Sequence, residues 1–219
     1  MTLTRPLTTR WAAAGALGMA LSLRAAPGAS AATAAATASP SRSLAAVLTA
    51  DGNRFDSNWY DFDIVTEAVL AVLSAKPASP VAVLTDGSTP VSAFIPNDRA
   101  FQVLVADLTG TWMRGEEAVF TAVASLGIDT VESVLLYHVV PGATITKAMA
   151  VKSNGAQLTT ALGPTITVRV LNRNLPLVVL GDQDPDDLNP WLNPWALDIN
   201  AGNPQIAHGI TLVLRPANL

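Results

Sequence analysis

The stretch Phe94-Ile-Pro-Asn-Asp-Arg-Ala-Phe101 decides how this chain is read. Val91 to Ile95 is an apolar, β-favouring run, and Pro96 closes it because proline has no N–H to give a sheet. Asn97 suits a helix N-cap, its side-chain oxygen accepting from a backbone N–H one turn on. Asp98 follows in the first turn, where the helix dipole favours a negative charge, whereas Arg99 opposes that dipole at roughly 0.3–1 kcal/mol. Ala100, Phe101, Leu104, Val105 and Leu108 then recur at helical spacing and predict one buried face. The octapeptide therefore predicts a strand running straight into a capped helix.

Working outward, the first half reads as helices. Ser43 can cap Leu44 to Leu48, and Asp63 can cap a longer helix whose stripe is Ile64, Val65, Ala68, Val69, Val72 and Leu73. Pro77 and Pro80 stop it. Glu116 to Ser125 predicts another helix with Gly127 at its end. Asp129-x-x-Glu132 has the form of a capping box before a helix to about Leu136. The texture then turns to strand, beginning with Tyr137 to Val140 before the turn pair Pro141-Gly142. A short helical piece spans Ile145 to Ala150. Gln157 to Thr160, Thr165 to Val170, Leu175 to Leu180 and Ile210 to Leu214 are β-favouring, separated by Gly, Pro or Asn. Helices first and strands later predict an α+β fold rather than alternating βαβ units.

Residues 1–31 read as a signal peptide. Arg5 and Arg10 precede the apolar run Trp11 to Leu23, and Ala29-Ser30-Ala31 has the form of a signal-peptidase site. Ala32-Thr33-Ala34 and Ala36-Thr37-Ala38 offer other cleavage points. The run is too short to span a bilayer, which needs about 20 residues, so no stable membrane insertion is expected after cleavage. Residues 32–42 form a flexible Ala/Thr/Ser/Pro spacer, and 43–219 a single domain without internal repeats. The chain has no cysteine, which excludes disulfides, a thiolate nucleophile and Cys-based zinc sites. Net charge is −4, and removal of Arg5, Arg10 and Arg24 with the leader makes it −7. That balance argues against nucleic acid or an anionic membrane as partner.

Three segments, in order, resemble the fasciclin domain, an extracellular adhesion and interaction module. The first is the Phe-x-Pro-x-Asp-x-Ala-Phe spacing of residues 94–101, with Arg99 where the family usually has Glu. Leu135-Leu-Tyr-His-Val-Val-Pro-Gly142 is similar to the family's Leu-x-Tyr-His-Val-Val-x-Gly element. Ile206-Ala-His-Gly-Ile-Thr-Leu-Val-Leu-Arg-Pro216 resembles its closing strand, with His208 on the family's histidine. The usual Asn-Gly before that strand is replaced by Pro204-Gln205, and Thr211 stands at the common acid. The resemblance implies a compact β-sandwich or wedge with helices packed in the N-terminal half. It also implies a non-catalytic module, with no cofactor, that binds extracellular or cell-surface proteins or glycans, while the leader implies export of bacterial type.

Candidate sites are few. The resemblance gives Tyr137 and His138 a possible recognition role, since the family's Tyr-His element is associated with receptor binding. The alternative is that a histidine flanked by Leu135, Leu136, Val139 and Val140 is partly buried and fixes a neighbouring loop. On a strand the two side chains would face opposite ways. Asp182, Asp184 and Asp186 resemble the opening of a calcium loop, but Asp187 and Asn193 fall where glycine and a bidentate glutamate belong, so a solvated acidic turn competes with a metal site. Asn189-Pro-Trp-Leu-Asn-Pro-Trp195 repeats Asn-Pro-Trp, and Trp191 and Trp195 could offer flat faces to a sugar or protein, or else cover core.

Two other functions stay in view. A small-ligand or lipid carrier would need an apolar cavity of about 300 Å³ or more. A hydrolase would need a nucleophile elbow, and Val123-Ala-Ser-Leu-Gly127 lacks its first glycine and lies in a helical pattern.

Overall fold

The computed structural model describes residues 41–50, 52, 55–172, 174–175 and 177–217. The expected signal peptide, and the spacer as far as residue 40, lie outside the described residues. The helices are α1 (Leu44–Leu48), α2 (Asp63–Ala75), α3 (Asp98–Thr109), α4 (Glu116–Ala124), α5 (Ile128–Tyr137) and α6 (Lys147–Ala150), with a 3-10 helix at Pro80–Thr85. The strands are β1 (Val91–Pro96), β2 (Val139–Pro141), β3 (Gln157–Thr159), β4 (Thr165–Asn172), β5 (Leu177–Gly181) and β6 (Gln205–Ile210). The architecture is α+β, with most helices in the N-terminal half.

Two three-stranded sheets form, in the orders β2-β1-β6 and β3-β4-β5. β1 lies antiparallel to β2 and parallel to β6, with Phe94 opposite His208. Every residue of β1 and of β6 is buried, as expected of strands covered on both faces. Side-chain alternation then divides the core. Val91, Ala93 and Ile95 join a cluster with Val65, Val69 and Leu135 of the helices. Phe94 points the other way, into a cluster with Val168, Val178 and Leu180 of the second sheet. The first sheet is thus the middle layer of three.

The capped helix expected after β1 is present. Asn97 accepts from the Ala100 N–H at 3.0 Å, and Gly110, at φ 67°, ends α3 in the left-handed region. Arg99 turns its guanidinium over the Trp112 ring, 4.7 Å from its centre, and donates to Gln102. A cation–π contact of this kind contributes about 0.5–1 kcal/mol, enough to offset its poor position against the dipole.

Four sequence expectations need correction. Asp63 is the first residue of α2 rather than its cap, and the N–H groups of Asp63 and Ile64 donate to the Asp98 carboxylate at 3.2 and 2.8 Å. Asp129 and Glu132 form no capping box; Gly127 precedes α5 without a side-chain bond, and both acids pair with Lys76. Tyr137 and His138 are not strand residues. α5 runs through Tyr137 and His138 caps it, because the chain comes alongside β1 only at Val139, opposite Ala93.

The last strand spans 205–210 rather than 210–214. Its partner β1 ends at Pro96, Asn97 donates to the Ile210 carbonyl at 3.3 Å, and the chain there turns into α3. Beyond Ile210 no ladder remains to extend. Val213 and Leu214 are still buried, so their apolarity reports burial without a sheet.

Replacing Asn97 by Ala removes the α3 cap and should lower stability by about 1 kcal/mol. Urea unfolding should show this as a lower midpoint with an unchanged slope.

Candidate functional site

Both histidines are interior bridges. His138 accepts from the Leu214 N–H through Nε2 at 3.0 Å, so its proton sits on Nδ1 and is donated to the Val134 carbonyl at 2.7 Å. His208 has the opposite tautomer: Nδ1 accepts from the Asp198 N–H at 3.2 Å, and Nε2–H donates to the Ile145 carbonyl at 2.7 Å. Burial disfavours the charged ring in each, lowering His138 to about 4 and moving His208 below its ordinary value. Tyr137 is fully buried, donates its hydroxyl to the Thr165 carbonyl at 3.0 Å, and is pushed up to about 12 by the same desolvation. In this arrangement a partner meets neither the Tyr137 nor the His138 ring. Their bonds tie the end of α5 to the second sheet and to the C-terminal segment.

The acidic hexapeptide closes around an arginine. Asp182 accepts from the Arg215 N–H at 2.9 Å and from the Asp184 N–H at 3.1 Å. The buried Arg215 guanidinium pairs with Asp107 at 2.9 Å, with Asp184 at 3.4 Å, and with Asp187. Asp182, Asp184 and Asp186 do not converge as three ligands among the described residues. A buried guanidinium needs such counter-charges, so the run anchors the C-terminal segment.

The tryptophan loop is the exposed element. Trp195 is 92% exposed, Leu188 81% and Trp191 45%, while Leu192 between them is buried. Backbone bonds lace this loop between the sheets. Leu180 N–H donates to the Pro190 carbonyl and Leu192 N–H to the Val178 carbonyl, both at 2.9 Å. Thr211 N–H donates to the Trp191 carbonyl at 3.1 Å, and Trp191 N–H to the Thr211 hydroxyl at 3.0 Å. Asn189 and Asn193, which open the two Asn-Pro-Trp triplets, each accept a backbone N–H, from Asp182 and Trp195. Gly209 matters here: a Cβ on it would lie 2.7 Å from the Ala196 Cβ, so only glycine lets the loop pack down onto β6. These bonds fix the backbone that carries the two exposed rings.

A cavity of about 220 Å³ lies in the second core, lined by Phe94, Ile145, Met149, Leu158, Val178 and Leu192. It falls short of the roughly 300 Å³ at which ligand pockets begin. The serine of the elbow-like string, Ser125, caps the end of α4 and donates to the Ala122 carbonyl.

One constellation was not singled out from the sequence. Asp61, Asp98 and Glu116 bring carboxylate oxygens within 4.8 Å of one another, and Asp56, Asp61 and Asp63 form a second such set. Asp98 and Glu116 are buried, and burial raises both, Asp98 to about 8 with the help of the adjacent Asp61 carboxyl. The signal available was Asp56, Asp61 and Asp63 in eight residues. Nothing in the spacing brings Asp98 and Glu116 to them.

No family model matches the chain, and no curated protein does. Among solved structures it is similar to a FAS1 domain pair from the insect cell adhesion molecule fasciclin I, at 17% identity and a TM-score of 0.47. The match covers 69% of this chain and 46% of that one, so it spans less than half of the insect chain's length.

The buried tautomers predict a pH response. An unfolded histidine titrates near 6.5, above the folded value of about 4 for His138. The folded state therefore binds fewer protons. Its stabilisation is complete above about 6.5 and is lost as pH falls through 4. NMR of the imidazole nitrogens should show His138 neutral and protonated at Nδ1 from pH 7 down to about 5. A midpoint near 6.5 would contradict the assigned geometry.

Proposed function

We propose that this chain is an exported fasciclin-type module that binds an extracellular or cell-surface protein or glycan without catalysis. The observation that carries this reading is the exposed pair Trp191 and Trp195 on a hydrogen-bonded loop. An aromatic with 92% of its surface in water gains nothing from folding, whereas aromatic faces on rigid loops are frequent anchors of recognition. The three segments that resemble the fasciclin domain give the module its class, and residues 1–31 give its route out of the cell. Both histidines are held neutral and inaccessible by two bonds each, which supports a non-catalytic role because neither has a lone pair left for general base work. Among the described residues no single helix is long and apolar enough to cross a membrane, in keeping with a module that carries its partner surface on a loop.

Two experiments test this. The exported product should begin at Ala32 by N-terminal sequencing. The double variant Trp191→Ala, Trp195→Ala should lose capture of envelope or matrix fractions by at least tenfold. Its melting temperature should stay within about 2 °C of the parent, since less than about 1 kcal/mol of stability is at stake. A large drop in melting temperature, or undiminished capture, would remove the loop from the binding role.

A further inference from the structure

We infer that Asp61, Asp98 and Glu116 form a site for a hard divalent cation, calcium by preference, at the junction of the loop before α2, the first turn of α3 and the first turn of α4. The three oxygens converge within 4.8 Å from three separate elements. Glu116 is 1% exposed, and its Oε1 has no hydrogen-bond partner among the described residues; the buried Oδ1 of Asp61 also lacks one. The other Glu116 oxygen accepts the Asp56 N–H, which fixes the carboxylate's direction. Asp98 is fixed in turn by the two N–H groups at the start of α2. None of the three is ion-paired with a described lysine or arginine.

Such an arrangement is costly without a counter-charge. A buried carboxylate oxygen without a partner loses its hydration and gains nothing in return. Two neighbouring carboxylates add repulsion. A proton shared between Asp98 and Asp61 relieves part of this and leaves Glu116 Oε1 unserved. A divalent cation relieves all of it, since three carboxylates around a +2 ion leave one net negative charge.

The donor set is all oxygen, and the chain has no cysteine, so the choice falls among hard cations. Calcium accepts irregular sets of six to eight oxygens, whereas magnesium demands a near-ideal octahedron. Carboxylates from three elements, two of them fixed by unrelated backbone bonds, suit the tolerant ion. Asp61 is half-buried and Asp56 is exposed, and Asp56 shares the second convergent set with Asp61 and Asp63. The Asp182 to Asp187 run offers no such opportunity, because Arg215 already holds it.

The test titrates the full chain with calcium chloride while melting is followed, with magnesium chloride and sodium chloride at matched ionic strength alongside. Calcium at about 5 mM should raise the melting temperature by about 3 °C or more, against 1 °C or less for the other salts. Isothermal titration should give one calcium per chain. Glu116→Gln keeps an acceptor for the Asp56 N–H, and Asp61→Asn alters a half-exposed group. Each should abolish the shift, while Asp129→Asn, on the Lys76 ion pair, should leave it intact. Should Glu116→Gln fail to fold, Asp61→Asn alone decides. The site is overturned if no calcium-specific shift occurs in the parent chain, or if the shift survives in Asp61→Asn. Neither outcome bears on the tryptophan loop.

Discussion

A strand covered on both faces constrains everything around it. β1 has helices on one side and a second sheet on the other, so each of its side chains must find apolar or hydrogen-bonded company. Even Ser92 conforms, donating to the Ala143 carbonyl at 2.8 Å and accepting from the Ile145 N–H at 2.7 Å. This sheet lies between the two cores. Burial of a Val, Ile or Phe side chain contributes about 1.5–3 kcal/mol, and β1 supplies three such residues, Val91, Phe94 and Ile95, divided between the cores.

Polar side chains then complete joints that apolar packing cannot specify. Gln205, buried at the start of β6, accepts from the Leu44 N–H at 2.8 Å and donates to the carbonyls of Val83 and Asp86. It fastens α1 and the 3-10 helix to the sheet. Asp98 does the same for α2, and His138 and Arg215 do it for the C-terminal segment. Each of these residues would be expensive to bury alone and is held by hydrogen bonds to residues distant in sequence, which turns a liability into a positional constraint.

What could be read from the chain followed local physics. The β1–Asn97–α3 unit was legible because every joint in it is specified within eight residues. Ser43, whose side chain accepts from the Ala46 N–H, was legible for the same reason. The order of helices and strands followed from hydrophobic period. Errors arose where the decisive partner lies far away in sequence. The cap of α2 comes from Asp98, the acids of α5 serve Lys76, and Val213 and Leu214 are apolar because they are covered, not because they pair. Tyr137 and His138 were placed on a strand because their neighbours favour one, whereas the helix continues until β1 is within reach. Exposure of Trp191 and Trp195 was undecidable from composition, since the same residues on the same loop could equally have covered the core.

The parallel pairing of β1 with β6 joins residues more than a hundred positions apart, Phe94 beside His208. The loop that laces the two sheets hangs on β6 through Asn193 and Gly209. The β1–β6 pairing can therefore form only after residue 210 has been made, because loop closure must precede the contacts that reward it.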